Sequence, residues 1–318
     1  MTLEIKAKQA QNLKIQASRE YDNGNTDTAI ELERQYLQLR LSVIEEVTQE
    51  VKRQKSKTMR DVKKEVLSRP KVVRRATGIP TLDKELVSQT RYGYGDIGGF
   101  ALGNFIQFVG SRGSGKSTVL MKIISNLSLY ERVCWFDFEM GESRVVEKLE
   151  QFTYNDENLL YYNASRELDD IIDEIKFLHA IGANHFVIDS TMKITTKGVD
   201  GYERFSLISA KLSELTSTLG INIYIINQMS QKADEDQRLQ IKHGNDVEYD
   251  ADFIFFVLAF PKKENGKVIK DDMGQVVIDT SRRAIKCMKN RQDERLFMVY
   301  LEKHEIITTK PKEYIFEG

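Results

Sequence analysis

Apolar and polar positions follow two different rhythms along this 318-residue chain, and the change falls near Pro80. Before that point the spacing is helical. Ala17 and Tyr21, the polar turn Asp22-Asn23-Gly24-Asn25-Thr26, then Ala29, Ile30 and Leu32 predict two helices joined by a tight turn. In the second helix Ile30, Leu37, Leu41, Ile44, Val47 and Val51 recur every three or four positions, a stripe expected to pack on a neighbour. Residues 1–51 therefore read as a helical hairpin. Pro70 and Pro80 then interrupt the helical pattern and mark a boundary.

Beyond Pro80 short apolar runs alternate with amphipathic stretches. Strands are predicted over 105–109, 133–138, 185–188, 221–226 and 253–258. Helices are predicted over 117–129, through Val145, Val146 and Leu149, and over 205–219. Residues 267–280 and 284–301 read as hairpin strands around Gly266, Gly274 and a polar turn at 289–293. Strand alternating with helix predicts an α/β domain with a central, mostly parallel sheet, here over residues 76–318.

Composition narrows this picture a little. Hydrophobic residues make up 41% and charged residues 30%, with a net charge of -1, so the chain as a whole is not a polycation. Charge is local instead: residues 52–75 carry eleven Lys or Arg against Asp61 and Glu65, a basic linker helix that suits either solvent or nucleic acid. Cys134 and Cys287 have no companions at metal-ligand spacing and read as buried thiols. The N-terminus lacks the apolar stretch of a signal peptide, and the run 253–260 is too short to cross a bilayer. A cytoplasmic protein without a membrane partner is expected.

The strongest chemical pattern is Gly110-Ser111-Arg112-Gly113-Ser114-Gly115-Lys116-Ser117, followed by Thr118. Glycines at this spacing let successive backbone N–H groups turn inward on phosphate oxygens. Lys116 reaches the terminal phosphates, Ser117 offers a hydroxyl to Mg²⁺, and the following helix aims its positive end at the anion. The loop follows a predicted strand and opens a predicted helix, the setting such a loop needs. ATP and Mg²⁺ are the expected ligands.

Carboxylates stand where that chemistry wants them. Asp189 ends the run His185-Phe186-Val187-Ile188, suiting a residue that holds Mg²⁺ beside the loop. Glu139 closes the strand after the phosphate-loop helix and is placed to polarise an attacking water, in preference to Asp137 two positions earlier. Gln228 follows the run 221–227, where a neutral amide can sense a terminal phosphate.

In combination these features resemble the RecA-like motor domain of DnaB-type and Twinkle-type hexameric replicative helicases. Thr77-Gly78-Ile79-Pro80-Thr81-Leu82-Asp83 is similar to the family's opening motif, and Phe138-Glu139-Met140 to its catalytic-glutamate motif. Val187-Ile188-Asp189 resembles its Walker B, and Asn227-Gln228-Met229 its sensor. Glu248-Tyr249-Asp250-Ala251-Asp252 resembles the segment before the last core strand, and Lys289-Asn290-Arg291 the Lys-x-Arg pair that reaches a neighbour's nucleotide.

The resemblance covers residues 76–303. It implies that Arg291, with Lys289 beside it, acts in trans as an arginine finger. It also implies a homo-hexamer with active sites between subunits and single-stranded DNA as partner, with primase, polymerase or a loader protein as further partners. DNA contacts are expected in the loops 193–202 and 230–245, at Lys242, His243, Gly244 and Asn245. A RecA or RadA-type recombinase and a DNA-independent regulatory or loader ATPase are the alternatives, because they share the core.

Overall fold

The computed structural model describes residues 2–52, 57–68, 75–87, 98–229, 245–292, 294–302 and 305. They form two compact units, one of Met1–Pro70 with Glu167–Asn184, the other of Lys71–Arg166 with His185–Gly318.

In the smaller unit, α1 (Leu3–Asp22) and α2 (Thr26–Lys52) form the expected hairpin around Gly24, whose φ of 80° makes the turn. The helices pack through Ala7, Ala10 and Ala17 against Ala29, Val43, Ile44 and Val47. The buried stripe is not the expected one. Ile44 and Val47 are buried, but Ile30, Leu37 and Leu41 are about half exposed, and the packed line runs one position earlier through Ala29, Tyr36 and Val43. Small alanines on α1 admit that closer line. Tyr36 and Arg40 also meet the later helix α7 (Leu168–Ala180), Tyr36 edge-on to Phe177 and Arg40 paired with Glu174 at 2.7 Å. Within the basic segment, α3 (Met59–Ser68) is the described helix.

The larger unit is built on an eight-stranded sheet. Its members are β1 (Phe105–Gly110), β2 (Arg132–Asp137), β3 (Leu159–Tyr162), β4 (Ala183–Asp189), β5 (Asn222–Gln228), β6 (Phe253–Pro261), β9 (Ile278–Asn290) and β10 (Met298–Glu302). The order is β10-β9-β6-β1-β5-β4-β2-β3. Pairing is parallel between β6 and β1, β1 and β5, β5 and β4, and β2 and β3, while β9 runs antiparallel to β6 and β10 to β9. The sheet is mostly parallel, as the alternation of elements predicts.

Helices α4 (Pro80–Glu85), α5 (Lys116–Ser128), α6 (Glu142–Leu149), α8 (Gly201–Leu219) and α9 (Asn245–Asp250) belong to this unit. Leu120, Ile123, Ile124 and Leu127 of α5 are buried as expected, together with Val119 and Met121. They join Ile79, Leu82, Phe108, Trp135, Tyr224, Phe253 and Phe255 in one core. Cys134 and Cys287 are buried free thiols.

Three boundaries differ from the pattern. Strand β3 and helix α7 lie in a stretch where no element was predicted, although Leu168, Ile171, Ile175 and Leu178 have helical spacing. The hairpin strand expected over 267–280 is instead a short pair, β7 (Lys263–Glu264) and β8 (Lys267–Val268), around Gly266. Strand β9 is continuous from Ile278 to Asn290, so Lys289 lies in a strand rather than a turn. Among the described residues no helix is long and apolar enough to cross a membrane.

Candidate functional site

A parallel sheet gathers the carboxyl ends of its strands at one edge, and the phosphate loop follows the end of β1 there. The loop needs its glycines. Gly115 has a φ of 96° and caps α5, and a Cβ at Gly110 would come within 2.5 Å of the Val257 carbonyl oxygen. Lys116 is buried, and its Nζ donates to the carbonyl oxygens of Gly110 at 2.9 Å and Ser111 at 2.8 Å. The side chain is thus held at the loop's mouth.

Neighbouring strands bring up the other residues. Asp189 ends β4, and its Oδ2 accepts the Ser117 hydroxyl at 2.8 Å. Gln228 ends β5 in register with Gly110. Asn227 before it donates to Gln107 of β1 at 3.1 Å and accepts from Thr191. One buried polar link therefore fixes the ends of β1 and β5 and the turn after β4.

Asp137 and Glu139 divide their labour. Asp137 accepts the backbone N–H groups of Glu139, Met140 and Gly141, the last at 2.6 Å, and the Tyr161 hydroxyl at 3.0 Å. Burial and that hydrogen bond push the Tyr161 hydroxyl up to about 12. Asp137 is occupied in shaping the turn, and the turn presents Glu139, whose side chain is exposed, to the cleft.

Gly113, Gly115, Lys116, Ser117, Thr118, Glu139, Asp189 and Gln228 all line one cleft of about 370 Å³, Arg112 with them. The arrangement fits a Mg²⁺–nucleotide. Ser117 and Asp189 offer adjacent hard oxygens. The hydroxyls of Ser114, in the loop, and Ser190, on the cleft wall, are buried and unpartnered among the described residues. Among the described residues no cluster of three or more His, Cys, Asp or Glu side chains could hold a metal, so nucleotide oxygens would complete the shell. Three cations on the cleft escaped the motifs: Arg144 and Lys148, one helical turn apart on α6, and Arg283 on β9. Only the i,i+4 spacing behind Glu139 hints at the first two.

Burial raises the Asp189 carboxyl from 3.8 to about 6; Glu139 and Asp137 push the same way, and Ser117 and Lys116 oppose them. A carboxyl raised on folding is neutral in both states below pH 3.8 and becomes a burden as pH climbs past it. Above pH 6 the gap corresponds to about 3 kcal/mol of lost stability. Asp189→Asn is therefore expected to stabilise the ligand-free protein relative to wild type at pH 8 and by much less at pH 4. Urea unfolding at the two pH values measures this, and an equal difference at both would refute the burial account.

Lys289 and Arg291 lie elsewhere. The β6–β9 register shifts between Ile254 and Phe255, making Met288 an extra residue and re-aiming Lys289. Lys289 Nζ donates to the carbonyl oxygens of Glu248 and, at 3.0 Å, Tyr249 near the end of α9. Arg291 bonds to the Tyr249 carbonyl and, at 3.4 Å, to Asp252, whose other oxygen accepts the Phe105 N–H at 2.8 Å. Phe105 begins β1 and Gly110 ends it, so Arg291 sits about 17 Å of strand away from its own phosphate loop. Lys242, His243 and Gly244 lie outside the described residues, and Asn245 is the first residue of α9.

The sheet order, with the phosphate loop on the central β1 and the carboxylate and amide on β4 and β5, is a RecA-like α/β fold. The solved ATPase domain of a DnaB-like helicase is similar at a TM-score of 0.58 and 18% identity, over 79% of this chain and 98% of that one. The KaiC-like protein PH0186 from Pyrococcus horikoshii is similar at 0.53 and 17%, over 74% and 97%. No protein-family model and no curated protein matches the chain.

Proposed function

We propose that the chain is a Mg²⁺-dependent ATP hydrolase that works as a ring, a homo-hexamer, translocating on single-stranded DNA and separating duplex as a replicative helicase. The observation that carries this reading is the division of one catalytic set between opposite edges of the sheet. Lys116, Ser117, Asp189, Glu139 and Gln228 share a cleft, whereas Lys289 and Arg291 are fixed at the far edge. A cation that far from its own nucleotide acts only on a neighbour's, which supports an assembly with shared sites. The motif order across residues 76–303 supports the helicase class.

In that cleft Mg²⁺ would neutralise charge on the β- and γ-phosphates. The chain's own groups do the rest. Lys116 and the loop N–H groups hold the phosphates, Glu139 takes a proton from the attacking water, and Gln228 reports the terminal phosphate to the segment beyond β5. Residues 230–244, with Lys242, His243 and Gly244, are proposed to grip the DNA backbone. Primase, polymerase or a loader protein are proposed partners.

Two measurements test the reading. ATP turnover is expected to rise several-fold with single-stranded DNA, and a forked duplex is expected to be separated with ATP but not by Lys116→Ala. Turnover indifferent to DNA would sink the helicase reading and favour the regulatory or loader class. That second reading draws support from the comparable fold likeness to a KaiC-like protein.

A further inference from the structure

One cation on the cleft has no role in any motif. Arg283 lies on β9, opposite Ala259 of β6 and Leu301 of β10. Its side chain crosses the last glycine of the phosphate loop: a Cβ added at Gly115 would come within 3.0 Å of Arg283 Nε and 3.6 Å of Cδ. Nη1 donates to the carbonyl oxygens of Asp279 at 2.5 Å and Arg282 at 2.6 Å, fixing the guanidinium from the strand side. The other donors, Nε and Nη2, are left for the cleft that Arg283 lines.

Two further facts point to an anion. Arg283 is partly buried, and among the described residues no carboxylate forms an ion pair with it. Holding a guanidinium out of water without a counter-charge is costly, so the position suits a ligand that brings the charge. The place also selects which part of the ligand. Loop glycine N–H groups cradle the α- and β-phosphates, while lysine and Mg²⁺ attend to the β- and γ-phosphates.

We propose that Arg283 binds, within its own subunit, the α- and β-phosphates of the nucleotide held by its loop. This rests on the nucleotide part of the proposed function and on neither DNA nor ring formation. The planar fork of arginine can offer two donors to one phosphate, which a lysine cannot. Strand β9 then serves two nucleotides. Arg283 touches the subunit's own at one edge of the sheet, and Arg291, about 27 Å of strand further on, faces the neighbour's.

The test is equilibrium binding of fluorescent ADP and ATP with Mg²⁺ to the full chain, wild type against Arg283→Ala and Arg283→Lys. Arg283→Ala is expected to weaken both nucleotides by about 10- to 100-fold, as for loss of a charge-assisted hydrogen bond. Arg283→Lys should recover part of that loss. The KM for ATP should rise with kcat little changed, since the contact is the same before and during reaction. Unfolding of the nucleotide-free variants should match wild type.

Unchanged affinity in Arg283→Ala overturns the proposal and leaves the nucleotide reading standing. A loss confined to ATP overturns the assignment to the α- and β-phosphates. Equal losses in both variants with a matching drop in thermal stability assign Arg283 to packing and overturn it too. If wild type binds neither nucleotide, the proposed function and Arg283's role fall together.

Discussion

Mixing Lys116→Ala chains with Arg291→Ala chains is expected to restore ATP turnover that neither variant shows alone. Loss of an arginine finger costs about 10³- to 10⁵-fold in turnover, so each variant should be nearly inactive by itself. The reasoning is geometric. Arg291 follows the end of β9, is bonded to Asp252 and Tyr249, and stands beside the first residue of β1 rather than the last. No rotamer of an arginine spans the length of that strand to reach its own loop.

In a random equal mixture about a quarter of head-to-tail interfaces pair an intact loop with an intact Arg291, so about that share of turnover should return if sites act independently. Steady-state hydrolysis against mixing ratio reads this directly. A mixture no more active than the average of its parts would mean that each active site is complete within one chain. Arg291→Ala hydrolysing at the wild-type rate would remove the finger altogether.

Glu139→Gln is the second large effect. Turnover should fall by about 10²- to 10⁴-fold, the usual yield of a positioned general base, while ATP binding survives. The two neighbouring carboxylates make the prediction specific. Asp137 is committed to three backbone N–H groups and the Tyr161 hydroxyl, whereas Glu139 lines the cleft. Removing the Glu139 charge should therefore change chemistry without changing the fold. Asp137→Asn should loosen the turn and lower stability as well as turnover. Single-turnover hydrolysis and binding of labelled ATP separate the two. If Glu139→Gln turned over normally and Asp137→Asn did not, the general base would have been misassigned.

The phosphate loop, its strand and its helix were legible because their signals are local. Glycine spacing, an apolar run before it and helical periodicity after it all lie within some twenty-five residues of one another. The hairpin turn around Gly24 was legible for the same reason. The packed stripe of α2 was not, since a helix with apolar residues at 29, 30, 36, 37, 41, 43, 44 and 47 has two adjoining faces. The alanines of another helix chose between them. Strand β9 was misjudged because Arg282, Arg283 and Lys286 interrupt its apolar pattern, yet it is held antiparallel to both β6 and β10.

The sequence by itself determined that this protein has a phosphate-binding loop in a strand-to-helix turn, an α/β alternation around it, and carboxylates at strand ends. Those are properties of short segments, set by backbone stereochemistry and side-chain periodicity. Tertiary structure alone decided which residues share the cleft and which are excluded from it. Gln228 meets Gly110 through parallel pairing across 118 positions of chain. Arg283 reaches the loop, and Arg291 does not, because an antiparallel strand carries its two ends to opposite edges of the sheet. Distance along the chain says nothing of that; the direction and register of the hydrogen-bonded ladder do.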